Sequence, residues 1–144
     1  MNIRRASQGD LDALLRLYVQ LNAGNAGTDA SKAAAALEQL AQTPGVTLLV
    51  AESDGAVVGT VTLVVVPNLT HNAEPWAQIE NMVVDESERS TGVGRQLMEA
   101  CLALAQAAGC YKVQLQSAEQ RTGAHRFYAR LGFEDTSAGF RKYL

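Results

Sequence analysis

An arginine and two glycines after the middle of the chain have the spacing that most directly indicates chemistry. Arg89, Gly92 and Gly94 form the pattern R-x-x-G-x-G between a strand that ends in the apolar residues 82–84 and a helix-forming run at residues 96–108. Glycines at a strand-to-helix turn let several backbone N–H groups converge on one point. The helix that follows adds unpaired N–H groups and the positive end of its dipole. The stretch therefore predicts a binding site for a phosphate or diphosphate.

Other phosphate-binding patterns fit this stretch poorly. A P-loop requires Gly-Lys-Ser or Gly-Lys-Thr, which the chain lacks, and a dinucleotide-binding turn requires a third glycine three residues after the second. Taken alone, Gly92 and Gly94 are also consistent with a tight turn that binds nothing.

A second motif downstream strengthens the functional interpretation. Residues 124–133 read Ala-His-Arg-Phe-Tyr-Ala-Arg-Leu-Gly-Phe, which resembles motif B of the GNAT superfamily, A-x-x-F-Y-x-x-L-G-F. The turn at residues 89–94 resembles motif A of the same superfamily, the acetyl-CoA-dependent N-acetyltransferases. The resemblance is strong over residues 80–133 and rests on pattern alone before them. It implies that acetyl-CoA is the co-substrate and that its acetyl group moves to a primary amine by direct attack in a ternary complex.

The resemblance implies a coenzyme A site in two parts. Backbone amides of residues 89–94, with the side chains of Arg89 and Arg95 nearby, would hold the diphosphate. The edge of the strand at residues 82–84 would hydrogen-bond the pantetheine arm like an added strand, and amides there would polarise the thioester carbonyl. Arg121 stands where the family often has Asn, and we expect it to approach a coenzyme A phosphate or the substrate. The predicted cofactor-binding residues are Met82, Val83, Val84, Arg89, Ser90, Thr91, Gly92, Val93, Gly94, Arg95 and Arg121.

Two side chains are catalytic candidates, because the amine must lose a proton and the departing thiolate benefits from gaining one. Glu80 is the candidate base. Strand alternation predicts that Gln78, Glu80 and Met82 share one face, with Asn81 on the other, and that Glu80 is partly buried. Glu80 could instead act through ordered water, only orient an ammonium group, or pair with an arginine. Tyr128 is the candidate acid, since the motif B tyrosine points its hydroxyl at the coenzyme A sulfur; the alternative is a tyrosine that only packs in the core.

The sequence says less about the acceptor. The position of Glu80 resembles the Ile-Glu-Asp pattern of phosphosugar acetyltransferases, and residues 121–128 resemble aminoalkylphosphonate acetyltransferases, so a small anionic amine is favoured. The candidate substrate-binding residues are Asn25, His71, Trp76 and Gln78. A loop histidine such as His71 is also consistent with solvated surface. Two alternatives stay open: a protein lysine or N-terminal acetyltransferase and, in another class, a non-catalytic acyl-CoA-binding sensor module.

Composition excludes several other classes. A chain of 144 residues predicts one domain, residues 1–144. A net charge of −3 argues against nucleic-acid binding, and no apolar run approaches the ~20 residues of a membrane span. Cys101 and Cys110 lack metal-site spacing, so no metal is expected. No secretory apolar region follows the first arginines, which predicts a cytoplasmic protein. A homodimer is expected by analogy with relatives that pair through their last strands.

The predicted elements give an α+β layout in the order β-α-α-β-β-β-α-β-α-β-β. This matches the GNAT fold, a mixed central β-sheet with helices on both faces. Asp54-Gly55 predicts a two-residue hairpin, and Gly132 predicts a left-handed helix end. The predicted strands are residues 3–6, 46–51, 56–67, 76–84, 110–116, 133–136 and 140–144, and the predicted helices are residues 10–21, 29–41, 96–108 and 120–130.

Overall fold

A computed structural model of the chain describes residues 1–144. The chain forms two compact units, Met1–Gln114 and Leu115–Leu144, and each is described by itself; the single domain stays a prediction. The elements are β1 Asn2–Arg5, α1 Leu11–Leu21, α2 Ala30–Gln42, β2 Val46–Ser53, β3 Ala56–Val66, β4 Trp76–Val84, α3 Val93–Ala107, β5 Val113–Leu115 and α4 Thr122–Arg130. Short 3₁₀ turns lie at Gln8–Asp10, Ala23–Gly27, His71–Ala73 and Glu86–Glu88.

The strands form one five-stranded sheet in the order β1-β2-β3-β4-β5. The first four pair antiparallel. The N–H of Tyr111 donates to the carbonyl of Pro75 and the N–H of Ala77 to that of Lys112, so β5 runs parallel to β4. The sheet is therefore mixed, and the predicted α+β GNAT fold class is confirmed.

Helices cover both faces of the sheet in the first unit. Alternate β2 residues Leu48 and Val50 pack with Leu14 and Leu17 of α1 and with Leu37 of α2. On the other face, a side chain at Gly59 would approach Val93 Cγ1 at 3.0 Å and Leu97 Cδ1 at 3.1 Å, so α3 lies directly against β3. We call the sheet face covered by α1 and α2 the α1 face, and the face covered by α3 the α3 face.

Local signals explain where the first elements begin and turn. The backbone N–H of Ser7 donates to Asp10 Oδ2 at 2.7 Å, and Asp29 Oδ1 accepts the N–H of Lys32 at 2.9 Å as the N-cap of α2. Asp54 and Gly55 both have positive φ, 51° and 79°, as the predicted two-residue hairpin requires. None of the helices combines the length and apolar character that crossing a bilayer demands.

The two last predicted strands are absent, because residues 133–136 and 140–144 form no regular element. Residues 134–139 are Glu, Asp, Thr, Ser, Ala and Gly, most of them poor strand formers. Phe140 and Tyr143 are 95% and 84% exposed, so no buried apolar face stabilises a strand there. The predicted end of α4 is confirmed: Gly132 has a φ of 85°, and the N–H of Phe133 donates to the carbonyl of Tyr128.

Candidate functional site

The predicted phosphate turn lies between β4 and α3, as its sequence pattern indicated. After β4, Asp85 Oδ1 accepts the N–H of Ser87 at 3.1 Å and closes the first part of the turn. Ser90 and Gly92 have positive φ of 68° and 96°, and Gly92 is the N-cap of α3. A side chain at Gly92 would meet no atom within 4 Å. The glycine is therefore required by its backbone angle, and the space in front of it is open.

The first N–H groups of α3 have no acceptor in the protein. The first bond across this helix start runs from Gln96 N–H to the carbonyl of Gly92 at 3.1 Å, which leaves the N–H groups of residues 92–95 unpaired. Arg89 and Arg95 flank them, are exposed, and pair only with Glu86 at 3.7 Å and Glu99 at 2.8 Å. Exposed pairs of this kind contribute little energy and exchange easily, so both guanidinium groups remain available to an anion.

Helix α1 fixes the start of the turn. Arg16 pairs with the carboxylate of Asp85 and also donates to the carbonyl of Val57 at 3.0 Å. Gln20 Oε1 accepts the N–H of Glu86 at 2.9 Å. The Arg16 guanidinium, more than the Ser87 contacts, lowers the pKa of Asp85 to about 2. Asp85 is therefore ionised at neutral pH, and its ion pair with Arg16 is present.

Strand β4 carries a bulge at Asn81. Its register with β3 shifts by one residue between the pairs Thr60–Val83 and Thr62–Glu80, so three steps along β4 match two along β3. Asn81 has a φ of 53°, the left-handed conformation that asparagine tolerates better than most residues. A bulge of this kind leaves one residue outside the ladder and reorients the side chains around it.

The bulge makes the predicted alternation of β4 wrong. Directly opposed residues share a face, so Glu80 lies with Thr62 on the α1 face, while Val83 is also buried on the α1 face with Leu14. Met82, next to Val83, therefore faces α3. Glu80 and Met82 do not share a face, because the extra residue at Asn81 shifts the phase of the strand by one.

Glu80 is exposed, not partly buried as predicted. Its carboxylate has no arginine partner. Gln78 Nε2 donates to Glu80 Oε1 at 3.0 Å, and Gln114 Nε2 donates to Gln78 Oε1 at 3.0 Å. The three side chains form a chain of hydrogen bonds that holds one carboxylate oxygen and leaves the other open.

A cavity of about 270 Å³ lies on the α1 face of the sheet, between the sheet and helices α1 and α2 and beside this bulge. It is lined by aliphatic residues of α1, α2 and β2, by Tyr18, and by Asn25, Thr28 and Asn81. Burial raises the pKa of Tyr18, and the nearby hydroxyls of Thr60 and Thr62 lower it by less. Asn25 Nδ2 donates to the carbonyl of Tyr18 at 2.8 Å, which fixes the 3₁₀ turn at the cavity's border.

The other candidate substrate residues do not border this cavity. His71 stacks on Tyr111 with ring centroids 4.0 Å apart, and Lys112 lies over the ring of Trp76 at 6.0 Å. These residues gather at the start of β4, whereas Asn81 lies five residues beyond Trp76. The structure thus separates His71 and Trp76 from Asn25, while Gln78 joins Glu80.

The second unit carries Tyr128 on α4. Tyr128 is half-buried between Phe127 and Phe133, whose rings meet it edge-on at 5.3 Å and 6.0 Å. Burial raises the pKa of Tyr128, and the charge of Arg121 lowers it by less. The phenol is therefore fully protonated at neutral pH, as a proton donor requires.

Several residues of the site were missed from the sequence. Asn81 was assigned to the wrong face, because the bulge arises from the register between β3 and β4 and the sequence of β4 alone does not show it. Arg16, Gln20 and Gln114 carry no local signal, because their roles depend on partners 36 to 69 residues away. No three His, Cys, Asp or Glu side chains cluster so as to hold a metal ion.

Comparison with known proteins decides the family. The model of the acetyltransferase (GNAT) family matches residues 12–133. The chain belongs to this family. The prediction from motifs A and B is thereby confirmed, and with it the co-substrate, since members of the GNAT family use acetyl-CoA.

Two curated relatives and one solved structure are similar to the chain. A glucosamine 6-phosphate N-acetyltransferase of Trypanosoma brucei brucei is 37% identical over 79 residues, 55% of this chain and 52% of that protein. An aminoalkylphosphonate N-acetyltransferase of Salmonella typhimurium is 30% identical over 142 residues, 99% of this chain and 90% of that protein. The structure of a putative acetyltransferase from Agrobacterium tumefaciens is 38% identical, with a TM-score of 0.94 and complete coverage of both chains. The chain thus spans about half of the trypanosome enzyme and most of the Salmonella enzyme.

Proposed function

We propose that this GNAT protein transfers the acetyl group of acetyl-CoA to a primary amine of a small molecule. The observation that carries the proposal is the turn from β4 into α3, where the N–H groups of residues 92–95 are unpaired and the space at Gly92 is open. The strand that leads into this turn bears the exposed carboxylate of Glu80. The names of both curated relatives, which are small-molecule N-acetyltransferases, support a small acceptor.

The residues of the turn fit a diphosphate. Unpaired N–H groups at a helix start favour anions through hydrogen bonds and the helix dipole, and the open space at Gly92 permits close approach. Arg89 and Arg95 would add charge-assisted contacts. Strand β5 ends at Leu115, and no other strand borders β4 on that side, so the edge of residues 82–84 is where we place the pantetheine arm. Bound acetyl-CoA supplies the thioester that the amine attacks.

Glu80 is proposed to accept the proton that the amine loses, directly or through water. The bulge at Asn81 leaves Glu80 on the α1 face beside the cavity, which is the side on which the acceptor would enter. Gln78 and Gln114 act as positioning residues, because their hydrogen bonds orient one oxygen of the carboxylate and leave the other for the amine.

Tyr128 is proposed to give a proton to the departing thiolate. Motif B assigns this role, and the raised pKa of the buried phenol supports it, since the proton stays in place throughout the neutral range. Arg121 is proposed as a contact to coenzyme A. A cytoplasmic location and a homodimer stay predictions, and pairing through last strands loses support because residues after Gly132 form no strand.

The test combines acetyl-CoA binding by calorimetry with thiol release over a panel of amines. We expect turnover in the wild type. Tyr128→Phe should lower kcat by at least ~10²-fold with acetyl-CoA affinity unchanged, and Glu80→Gln should lower kcat likewise. Tyr143→Phe and Glu38→Gln, both at exposed positions, are the matched controls. Binding of acetyl-CoA without thiol release on any amine would refute an enzyme and indicate a sensor module.

A further inference from the structure

The cavity beside Asn81 has an apolar lining, which does not suit the anionic acceptor that the sequence favours. Nine of its lining residues are leucines or alanines, and none is charged. The charged residues of α1 and α2, which are Asp12, Arg16, Lys32 and Glu38, are all exposed and outside the lining. A phosphate or phosphonate group in this cavity would lack a cation and would lose part of its hydration, which is unfavourable.

The cavity also has four polar lining residues. Asn81 and Asn25 contribute carboxamides, and Tyr18 and Thr28 contribute hydroxyls. The left-handed bulge brings the Asn81 side chain into the cavity. Because Glu80 precedes Asn81 in the chain and faces the same side, the part of the cavity lined by Asn81 is the part nearest the proposed base.

We propose that the acceptor is an amine with an uncharged apolar body, and that this body occupies the cavity while the amino group lies at the β4 bulge by Glu80. This inference rests on the proposed acetyltransferase function and names its substrate class. An apolar cavity of about 150 Å³ is enough to bind benzene, so a cavity of about 270 Å³ has room for a larger apolar body. The body of a six- to eight-carbon alkylamine or of an arylalkylamine fits that volume.

The first experiment measures thiol release from acetyl-CoA by the wild-type chain with straight-chain primary amines from ethylamine to octylamine. Burying one methylene contributes about 0.8 kcal/mol, which is about fourfold in kcat/KM. We expect kcat/KM to rise about fourfold per methylene until the cavity is filled, between hexylamine and octylamine. An aminoalkylphosphonate and glucosamine 6-phosphate should be poor acceptors.

The second experiment reduces the cavity. Ala33 lines it and is half-buried on α2, whereas Ala35 on the same helix is exposed and outside it. Ala33→Leu should lower kcat/KM for hexylamine at least ~10-fold, the worth of about two methylenes, and leave ethylamine unchanged. Ala35→Leu should change neither. Melting temperature and acetyl-CoA affinity report whether Ala33→Leu still folds.

The outcomes separate this inference from the proposed function. If none of the amines causes thiol release, the acetyltransferase function itself is refuted. Release with the anionic amines, together with a flat response to alkyl chain length, refutes only the apolar acceptor. The chain-length series uses the wild-type chain, so it decides the question even if Ala33→Leu fails to fold.

Discussion

Replacing Gly92 by alanine tests the proposed diphosphate site most directly. Gly92 has a φ of 96°, and an added Cβ would meet no atom within 4 Å. The variant should therefore fold without a clash. Its free energy of unfolding should fall by only ~1–2 kcal/mol, the conformational cost of a left-handed alanine. Gly55 in the β2–β3 hairpin has a φ of 79° and equally open surroundings, so Gly55→Ala carries nearly the same strain away from the turn.

The two variants should differ in cofactor binding. The methyl group at position 92 stands beside the unpaired N–H groups at the start of α3 and holds a phosphate away from them. Losing one hydrogen bond to a charged group costs ~1.5–3 kcal/mol, which corresponds to ~10- to 150-fold weaker binding. Gly55→Ala should bind acetyl-CoA as the wild type does.

The assay pairs urea denaturation with calorimetric titration of acetyl-CoA. A further comparison uses S-acetylpantetheine, which has the thioester arm but no diphosphate. Gly92→Ala should lower kcat/KM for acetyl-CoA and leave that for S-acetylpantetheine unchanged. Equal losses with both thioesters, or an unchanged acetyl-CoA affinity in Gly92→Ala, would refute the placement of the diphosphate at this turn.

Three further predictions follow from the contacts of the first unit and from α4. Gln78→Leu removes the hydrogen bond to Glu80 and should lower kcat by ~2- to 12-fold, the worth of ~0.5–1.5 kcal/mol, with KM for acetyl-CoA unchanged; a change in KM alone would contradict a positioning role. Burial raises the pKa of Tyr128 above its usual value of 10, so loss of its proton should not lower kcat between neutral pH and about pH 9; a fall in that range that vanishes in Tyr128→Phe would be contrary evidence. The bidentate hydrogen bonds of Arg4, at 2.8 and 2.9 Å, lower the pKa of Asp10 from 3.8 to about 2. Because the folded-state pKa is the lower one, Asp10 should stabilise the fold by ~2 kcal/mol above pH 4 and lose this contribution as the pH falls through 2. Denaturation of wild type and Asp10→Asn at pH 7, 4 and 2 should show the difference shrinking with acidity, and a difference independent of pH would refute it.

Features that depend on nearby residues were predictable from the sequence. The turn at Gly92, the hairpin at Asp54-Gly55 and the end of α4 at Gly132 each require backbone angles that only particular residues adopt, so residue types reveal them. The amphipathic helices followed from apolar spacing in the same way. Motifs A and B also depend on local spacing, which is why they identified the family before any contact was known.

The predictions of the last strands and of a partly buried Glu80 were wrong for a common reason. A strand needs a partner and a buried face, and residues 133–144 have neither, which their aromatic residues did not reveal. The exposure of Glu80 depends on what packs above β4, since alternation along a strand fixes only relative directions.

The sequence by itself determined the family, the order of the first nine elements and the position of the glycine turn between β4 and α3, because all of these are encoded within short stretches. Tertiary structure alone decided that β4 bulges at Asn81, that Glu80 and Met82 face opposite sides, and that α1 and α2 leave an apolar cavity beside the proposed base. Register and cavity shape arise from the pairing and packing of segments far apart in the chain. A one-residue offset between β3 and β4 is invisible in either strand alone, yet it sets which side chains an acceptor would meet.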